Sequence, residues 1–226
     1  MCGIVGLHLK VPELYPRLGE YLVPMLEAMA TRGPDSAGVA IYGDGGMEVI
    51  KDVGAPRDIC ARHGVAGRGG YQAVGHTRMA TESAITTEAA HPFTPLPDLA
   101  LVHNGSFSNY ATMRRRLGRD GISCTTDNDS EVAARFVGQQ VSAGADLADA
   151  MRMVLKEFDG FFTLLVTTGT QFAVLRDSFA CKPAVLAETA DYVAMASEYH
   201  ALAGLPGVED ARVFEPIPEE VYTWTR

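Results

Sequence analysis

The sequence predicts an α+β fold with largely antiparallel sheets, and three observations predict it. Strand candidates come first, helices follow, and strands return, without the strict strand–helix–strand alternation that builds parallel sheets. No internal repeat or linker interrupts the chain, so one domain over residues 2–226 is expected. The 226 residues are 47% hydrophobic, enough for a substantial buried core.

The elements follow from their patterns. CGIVGLHL reads as a strand. PRLGEYLVPMLEAMATRG places Leu18, Leu22, Met25, Leu26 and Met29 at helical spacing, with Gly33 as a stop and Pro24 as an expected kink. SAGVAIYG and GMEVIKD are two strands around the turn GDGG. APRDICARHGVAGRGG is weakly patterned. YQAVGHTR and LALVHNG read as buried strands ending in polar clusters, separated by the Thr- and Pro-rich loop TESAITTEAAHPFTPLPD. Three helices are expected next: SFSNYATMRRRLG from a Ser cap to Gly118, then DNDSEVAARFVGQQVSAG, then DLADAMRMVLKEFDG. GFFTLLVTT, QFAVLRDS, PAVLAE, YVAMAS and EVYTWT complete the strands.

Composition removes several function classes. A formal net charge of -9 argues against nucleic acid or an anionic membrane as partner. No apolar run approaches the roughly 18 residues of a membrane span, and the N-terminus lacks the features of a secretory signal, so a cytoplasmic protein is expected. The four cysteines, Cys2, Cys60, Cys124 and Cys181, show no CxxC spacing, and the six histidines show no HxxxH or HExxH pattern. A metal site is therefore not expected, and Cys60, Cys124 and Cys181 read as free thiols in or near the core.

Polar residues gather at or just after the ends of buried strands: HTR (76–78), HNG (103–105) and DSE (129–131). With Cys2 directly behind Met1, they suggest a site assembled from loops on a rigid scaffold. The motifs MCGIVG, TRGPDSAG, GHTRMAT, HPF, VHNG and TTDNDSEV occur in an order that resembles the class II glutamine amidotransferase domain. This is the N-terminal-nucleophile hydrolase type of glutaminase, found in asparagine synthetase, glucosamine-6-phosphate synthase, amidophosphoribosyltransferase and glutamate synthase. The motifs cover residues 2 to about 131. The resemblance implies a four-layer αββα sandwich of two antiparallel sheets. Within the family, the chain resembles the short amidotransferase subunits related to glutamate synthase, such as that of N-methylglutamate synthase.

The resemblance also implies roles. Cys2 would be the nucleophile, and removal of Met1 would free its α-amine, whose ordinary pKa is about 7.7–8.0, to act as base. Alone, Cys2 reads equally as a thiol near a chain end. Asn104 and Gly105 resemble an oxyanion hole, against the alternative of an N-G hairpin turn. Arg78 resembles the residue that holds the substrate α-carboxylate, with Thr81 as a second contact, against a plain strand end. Asp129 resembles the ammonium clamp, and it also reads as a helix cap. Arg32 and Asp35 would support the nucleophile from behind, or form an ordinary Gly-Pro turn. His91 resembles a residue of the loop over glutamine, or is a loop histidine fixed by Pro92. His76 and His103 read as structural.

Two positions depart from the family pattern. Met79 stands where an aromatic residue is usual, and Glu82 where some members have a histidine; both bear on coupling to a synthase site more than on hydrolysis. The stretch 43–70 is short for the family. The sequence carries no GxxxxGK[ST] loop, no GxGxxG turn and no cysteine set for an iron–sulfur cluster, so no cofactor is expected on this chain. The expected substrate is glutamine. The expected partner is a separate synthase subunit, with a flavin or iron–sulfur protein as the kind in view, and neither nucleic acid nor membrane. A stand-alone γ-glutamyl amidohydrolase and a non-catalytic scaffold subunit are the alternatives.

Overall fold

The computed structural model describes residues 1–80 and 84–226. Among these residues twelve strands run in chain order: β1 (Gly3–Leu9), β2 (Ser36–Gly43), β3 (Gly46–Val53), β4 (Gln72–Arg78), β5 (Phe93–Leu96), β6 (Leu99–Phe107), β7 (Gly160–Thr167), β8 (Gln171–Arg176), β9 (Val185–Glu188), β10 (Tyr192–Ala196), β11 (Arg212–Phe214) and β12 (Val221–Thr225). Five α-helices accompany them in the same residues: α1 (Leu18–Ala28), α2 (Pro56–Arg62), α3 (Tyr110–Arg119), α4 (Asp129–Ser142) and α5 (Leu147–Glu157).

The strands form two sheets, ordered β11-β9-β10-β1-β4-β2-β3 and β12-β8-β7-β6-β5. The pairings are antiparallel throughout, as the element order predicts. The side chains sort into three cores because successive residues of a strand face opposite ways. Val5, Leu7 and Leu9 of β1 pack with Val39 and Ile41 of β2 and with Leu18, Leu22, Met25 and Leu26 of α1. Ile4, Val74, Val102, Leu165, Phe172 and Val174 fill the space between the sheets. Leu101, Leu164 and Val166 meet Val132, Phe136 and Val137 of α4 and Met151 of α5. The result is the αββα sandwich. Strands covered on both faces have no polar side to show, which is why LALV and GIVGL run as unbroken apolar stretches. Each such fully buried aliphatic side chain contributes about 1.5–3 kcal/mol.

Several elements differ from expectation. APRDICARHGVAGRGG contains α2, opened by Pro56 in its first turn and anchored by buried Ile59 and Cys60. The loop before LALVHNG contains β5, an edge strand that tolerates Pro95 because no strand on its outer side needs a backbone N–H from it. β11 is too short to leave a pattern. α1 ends at Ala28, and a 3-10 turn over Ala30–Arg32 completes the path to Gly33. Pro24 lies inside α1 without ending it. β6 continues through Asn104 and Gly105 to Phe107, so α3 starts after Asn109 and not at a Ser cap. Among the described residues no helix is long and apolar enough to cross a membrane, and no group of three or more His, Cys, Asp or Glu side chains is placed to hold a metal ion.

Candidate active site

A cavity of about 540 Å³ lies at one end of the sandwich, and Cys2, Arg78, His91, Asn104, Gly105 and Asp129 all line it. The topology explains the gathering. β1 starts where antiparallel β4 ends, with Gly3 opposite Thr77; one further step of that register puts Cys2 across from Arg78. β6 of the other sheet brings Asn104 and Gly105 to the same end, and α4 starts there with Asp129.

Cys2 is half-buried. Its Sγ faces the Met79 carbonyl oxygen at 3.9 Å. Burial pushes the thiol pKa up, and Asp129 adds to this. The Met79 contact, the chain's terminal ammonium and the Arg78 guanidinium pull the other way. The Met1 ammonium donates to Met79 Sδ at 2.7 Å, and Met1 itself is 61% exposed.

The turn TRGPDS holds this corner. Arg32 donates from Nε to the Cys2 carbonyl oxygen at 2.9 Å, and its Nη1 pairs with the Glu198 carboxylate. Asp35 accepts from the Ala80 N–H at 2.8 Å, and its own N–H donates to the Arg78 carbonyl oxygen at 3.1 Å. Gly33 packs flat on β4: a Cβ there would sit 2.3 Å from the Thr77 carbonyl carbon. The turn therefore fixes both ends of the Cys2–Arg78 pair and is more than a connection.

Arg78 is 4% exposed and donates from Nη1 to the Ala84 carbonyl oxygen at 2.9 Å. Burial, the main cause, pulls its pKa down, while Cys2, Asp35 and Asp129 oppose that. Met79, one of the family departures, is exposed beside it. Thr81 and Glu82 lie outside the described residues.

Asn104 and Gly105 are not a hairpin turn. They sit within β6, opposite Thr163 and Phe162 of β7. Asn104 is 2% exposed, and its Nδ2 has no hydrogen-bond partner among the described residues. A buried amide N–H2 without an acceptor is costly unless something else supplies one. Gly105 has φ +155°, and a Cβ there would lie 1.9 Å from the Phe161 carbonyl oxygen and 2.7 Å from His103 Nε2. Only glycine fits.

Asn128, and not Asp129, caps α4, accepting from the Ser130 N–H at 2.9 Å. Asp129 is thereby freed from capping. Its Oδ2 accepts from the Phe107 N–H at 2.8 Å and its Oδ1 from the Ser130 hydroxyl at 3.2 Å, so the carboxylate is oriented from both sides. Since Ser130 Oγ donates to Asp129, it accepts from His103 Nδ1 at 2.7 Å, which leaves His103 Nε2 without a proton. Glu131 clamps the preceding loop, accepting from the N–H groups of Thr125 and Thr126 at 2.9 and 2.7 Å.

His91 is buried at the cavity wall, stacked on His76 with ring centroids 3.9 Å apart, and neither of its nitrogens has a partner among the described residues. Burial lowers its pKa well below the usual range and pushes that of His76 down to about 3. His76 is a tie between the sheets, its Nε2 lying 2.9 Å from the His103 carbonyl oxygen. Ser106, Tyr110 and Lys182 also line the cavity, and sequence reasoning does not find them. No motif marks them; a hydroxyl at the start of a helix and a lysine before a proline carry no signal of their own.

The glutamine amidotransferase domain family matches residues 76–204, which takes in Arg78, Asn104 and Asp129 and leaves Cys2 outside. The glutamine amidotransferase-like protein GlxB of Rhizobium meliloti (strain 1021) is 41% identical over 99% of this chain and 98% of its own length. The glutamine–fructose-6-phosphate aminotransferase (isomerizing) of Streptomyces coelicolor is 36% identical over 73% of this chain, but that match spans only 26% of the relative. Among solved structures, glutamine phosphoribosylpyrophosphate amidotransferase from B. subtilis superposes with a TM-score of 0.81 at 23% identity, covering 99% of this chain and 49% of that one. A glutamine aminotransferase class-II domain protein from Silicibacter pomeroyi gives 0.61 at 16%, covering 98% and 94%. At these identities the two structures show the fold alone, and it is the αββα sandwich found here. By its family match and its full-length relative, the chain belongs to the class II glutamine amidotransferases.

Proposed function

We propose that the chain hydrolyses the side-chain amide of glutamine through a thioester on Cys2 and hands the released nitrogen to a partner synthase. The observation that carries this is the Asn104 amide: buried, without a partner among the described residues, and lining the same cavity as Cys2. An acyl-transfer site needs such a donor where negative charge develops.

In this reading Met1 is trimmed, as its exposure permits, and the Cys2 α-amine takes the thiol proton. The thiolate attacks the glutamine Cδ, and the resulting oxyanion is held by Asn104 Nδ2 and the Gly105 N–H. Collapse breaks the C–N bond and expels ammonia, which takes the proton from the amine. Water then attacks the thioester along the same path and releases glutamate. Arg78 binds the substrate α-carboxylate, with Thr81 as the second contact, and Asp129 binds the α-ammonium. Arg32 and Asp35 hold the backbone of Cys2 and of the Arg78–Ala80 segment, and His91 walls the cavity.

In this reading the nitrogen acceptor is a synthase of the glutamate-synthase or N-methylglutamate-synthase type, and the glutaminase steps themselves use side chains and the Cys2 amine, with no cofactor. The test is glutamate release by wild type and Asn104→Ala. A loss of about 10²–10³-fold in kcat with little change in KM supports the assignment; an Asn104→Ala enzyme with wild-type kcat refutes it.

A further inference from the structure

The zwitterionic end of glutamine brings one carboxylate and one ammonium, which Arg78 and Asp129 match. The cavity wall holds two more charges that this pairing leaves over, Asp127 just before the α4 cap and Lys182. The Lys182 ammonium forms no hydrogen bond or ion pair with any described residue, so Asp127 does not neutralise it. Its main chain is fixed there: the Lys182 carbonyl oxygen accepts from Thr163 Oγ1 at 2.8 Å, and Thr163 pairs directly with Asn104. The Lys182 main chain is therefore held by the residue paired with Asn104, and its side chain lines the same cavity. Ser106 and Tyr110 line the same cavity, and neither hydroxyl has a hydrogen-bond partner among the described residues. The volume, about 540 Å³, lies in the range of about 300–1,000 Å³ typical of sites for ligands larger than a free amino acid.

We propose that Lys182, Ser106 and Tyr110 form a subsite for an anionic group on the leaving nitrogen, so that the site accepts γ-glutamyl amides whose amine portion carries a carboxylate. This rests on the Cys2 thioester reading and extends it to the substrate class. The chemistry is unchanged: the Cys2 thiolate attacks the γ-carbonyl carbon and is acylated as the C–N bond breaks, and the amine leaves with the proton that the α-amine had taken. A single NH2 group gives Lys182 nothing to bind, whereas an amino acid joined through its nitrogen presents a carboxylate to it. By microscopic reversibility the same subsite would seat an amino-acid acceptor attacking the thioester.

The test compares γ-glutamylglycine with γ-glutamylmethylamide, which lacks the carboxylate. Wild type should show at least a tenfold higher kcat/KM for γ-glutamylglycine. That ratio should fall towards one in Lys182→Gln and persist in Lys182→Arg. A wild type without the preference, or a preference kept in Lys182→Gln, overturns the proposal. Calorimetry in a Cys2→Ala background separates the two readings. Tighter binding of γ-glutamylglycine that is lost in the Cys2→Ala/Lys182→Gln double variant supports the subsite even if no substrate is turned over, in which case the thioester reading alone fails. Turnover of both amides with equal binding in the Cys2→Ala background leaves the thioester and sinks the subsite.

Discussion

Arg32 donates from Nε to the carbonyl oxygen of Cys2 at 2.9 Å, joining residues 30 apart in the chain. The same guanidinium reaches Glu198 through Nη1, so one planar group ties the first peptides of the protein to the segment after β10. Arg32→Lys keeps the charge and loses the fork. A hydrogen bond to a charged group is worth about 1.5–3 kcal/mol, so kcat/KM for glutamine should fall roughly 10–100-fold in Arg32→Lys. Steady-state kinetics with far-UV circular dichroism of the variant checks this; unchanged kinetics would mean that Cys2 is held by other contacts.

The His76–His91 stack makes the fold sensitive to acid. Both rings are buried, and burial holds both pKa values below the ordinary 6.5, that of His76 at about 3. In the unfolded chain these histidines take protons below about pH 6.5, while the folded protein does not, so the unfolded state binds more protons and stability rises with pH. The stability is therefore full above about pH 6.5 and is lost as pH falls towards 3, by on the order of 1.4 kcal/mol per pH unit for each such ring. Urea unfolding at pH 7 and pH 5 measures it. His91→Phe should flatten the slope, and a wild-type stability independent of pH over this window would contradict the assignment.

Gly105→Ala should be among the most damaging single changes. The added Cβ would meet the Phe161 carbonyl oxygen at 1.9 Å, so β6 and β7 must part just where the oxyanion donors sit. A loss of about 10²–10³-fold in kcat, the cost of one misplaced donor, is expected. A thermal melt measures the strain separately. Wild-type kcat in Gly105→Ala would show that this peptide takes no part.

Asp129→Asn keeps an acceptor for the Phe107 N–H and removes the charge. KM for glutamine should rise about 10–100-fold, as expected for losing a charged hydrogen bond of about 1.5–3 kcal/mol, with a smaller change in kcat. The same variant should gain on a substrate analogue that lacks the α-amine. If KM is unaffected, Asp129 orients the Phe107 segment and does not touch substrate.

The legible parts of this molecule are those where one chemical demand acts locally. The apolar runs of β1, β4 and β6 reflect burial on both faces; Cys2, Arg78, Asn104 and Gly105 stand out because they border or interrupt such runs, and Asp129 because it opens the helical run of α4. α2 and β5 are illegible because a seven-residue helix and a four-residue edge strand leave little periodicity. Asn104 and Gly105 read as a strand end because N-G usually turns the chain; here the pairing with Thr163 and Phe162 keeps them extended. Asp129 reads as a cap because DNDS offers several, and only the position of Asn128 in space assigns the role. Lys182 is hidden because its place in the cavity depends on Thr163, a residue 19 positions earlier on β7, while Lys182 itself lies in the connection between β8 and β9.

In the proposed mechanism Cys2 becomes the N-terminal nucleophile once Met1 is removed. Intact-mass measurement of the purified protein, before and after incubation with the glutamine-analogue electrophile diazo-oxo-norleucine, tests it most directly. The expected result is a mass lacking Met1 and a single adduct that peptide mapping places on Cys2 and that Cys2→Ala abolishes. A protein that loses Met1 and takes no adduct, or takes one that survives in Cys2→Ala, would contradict it.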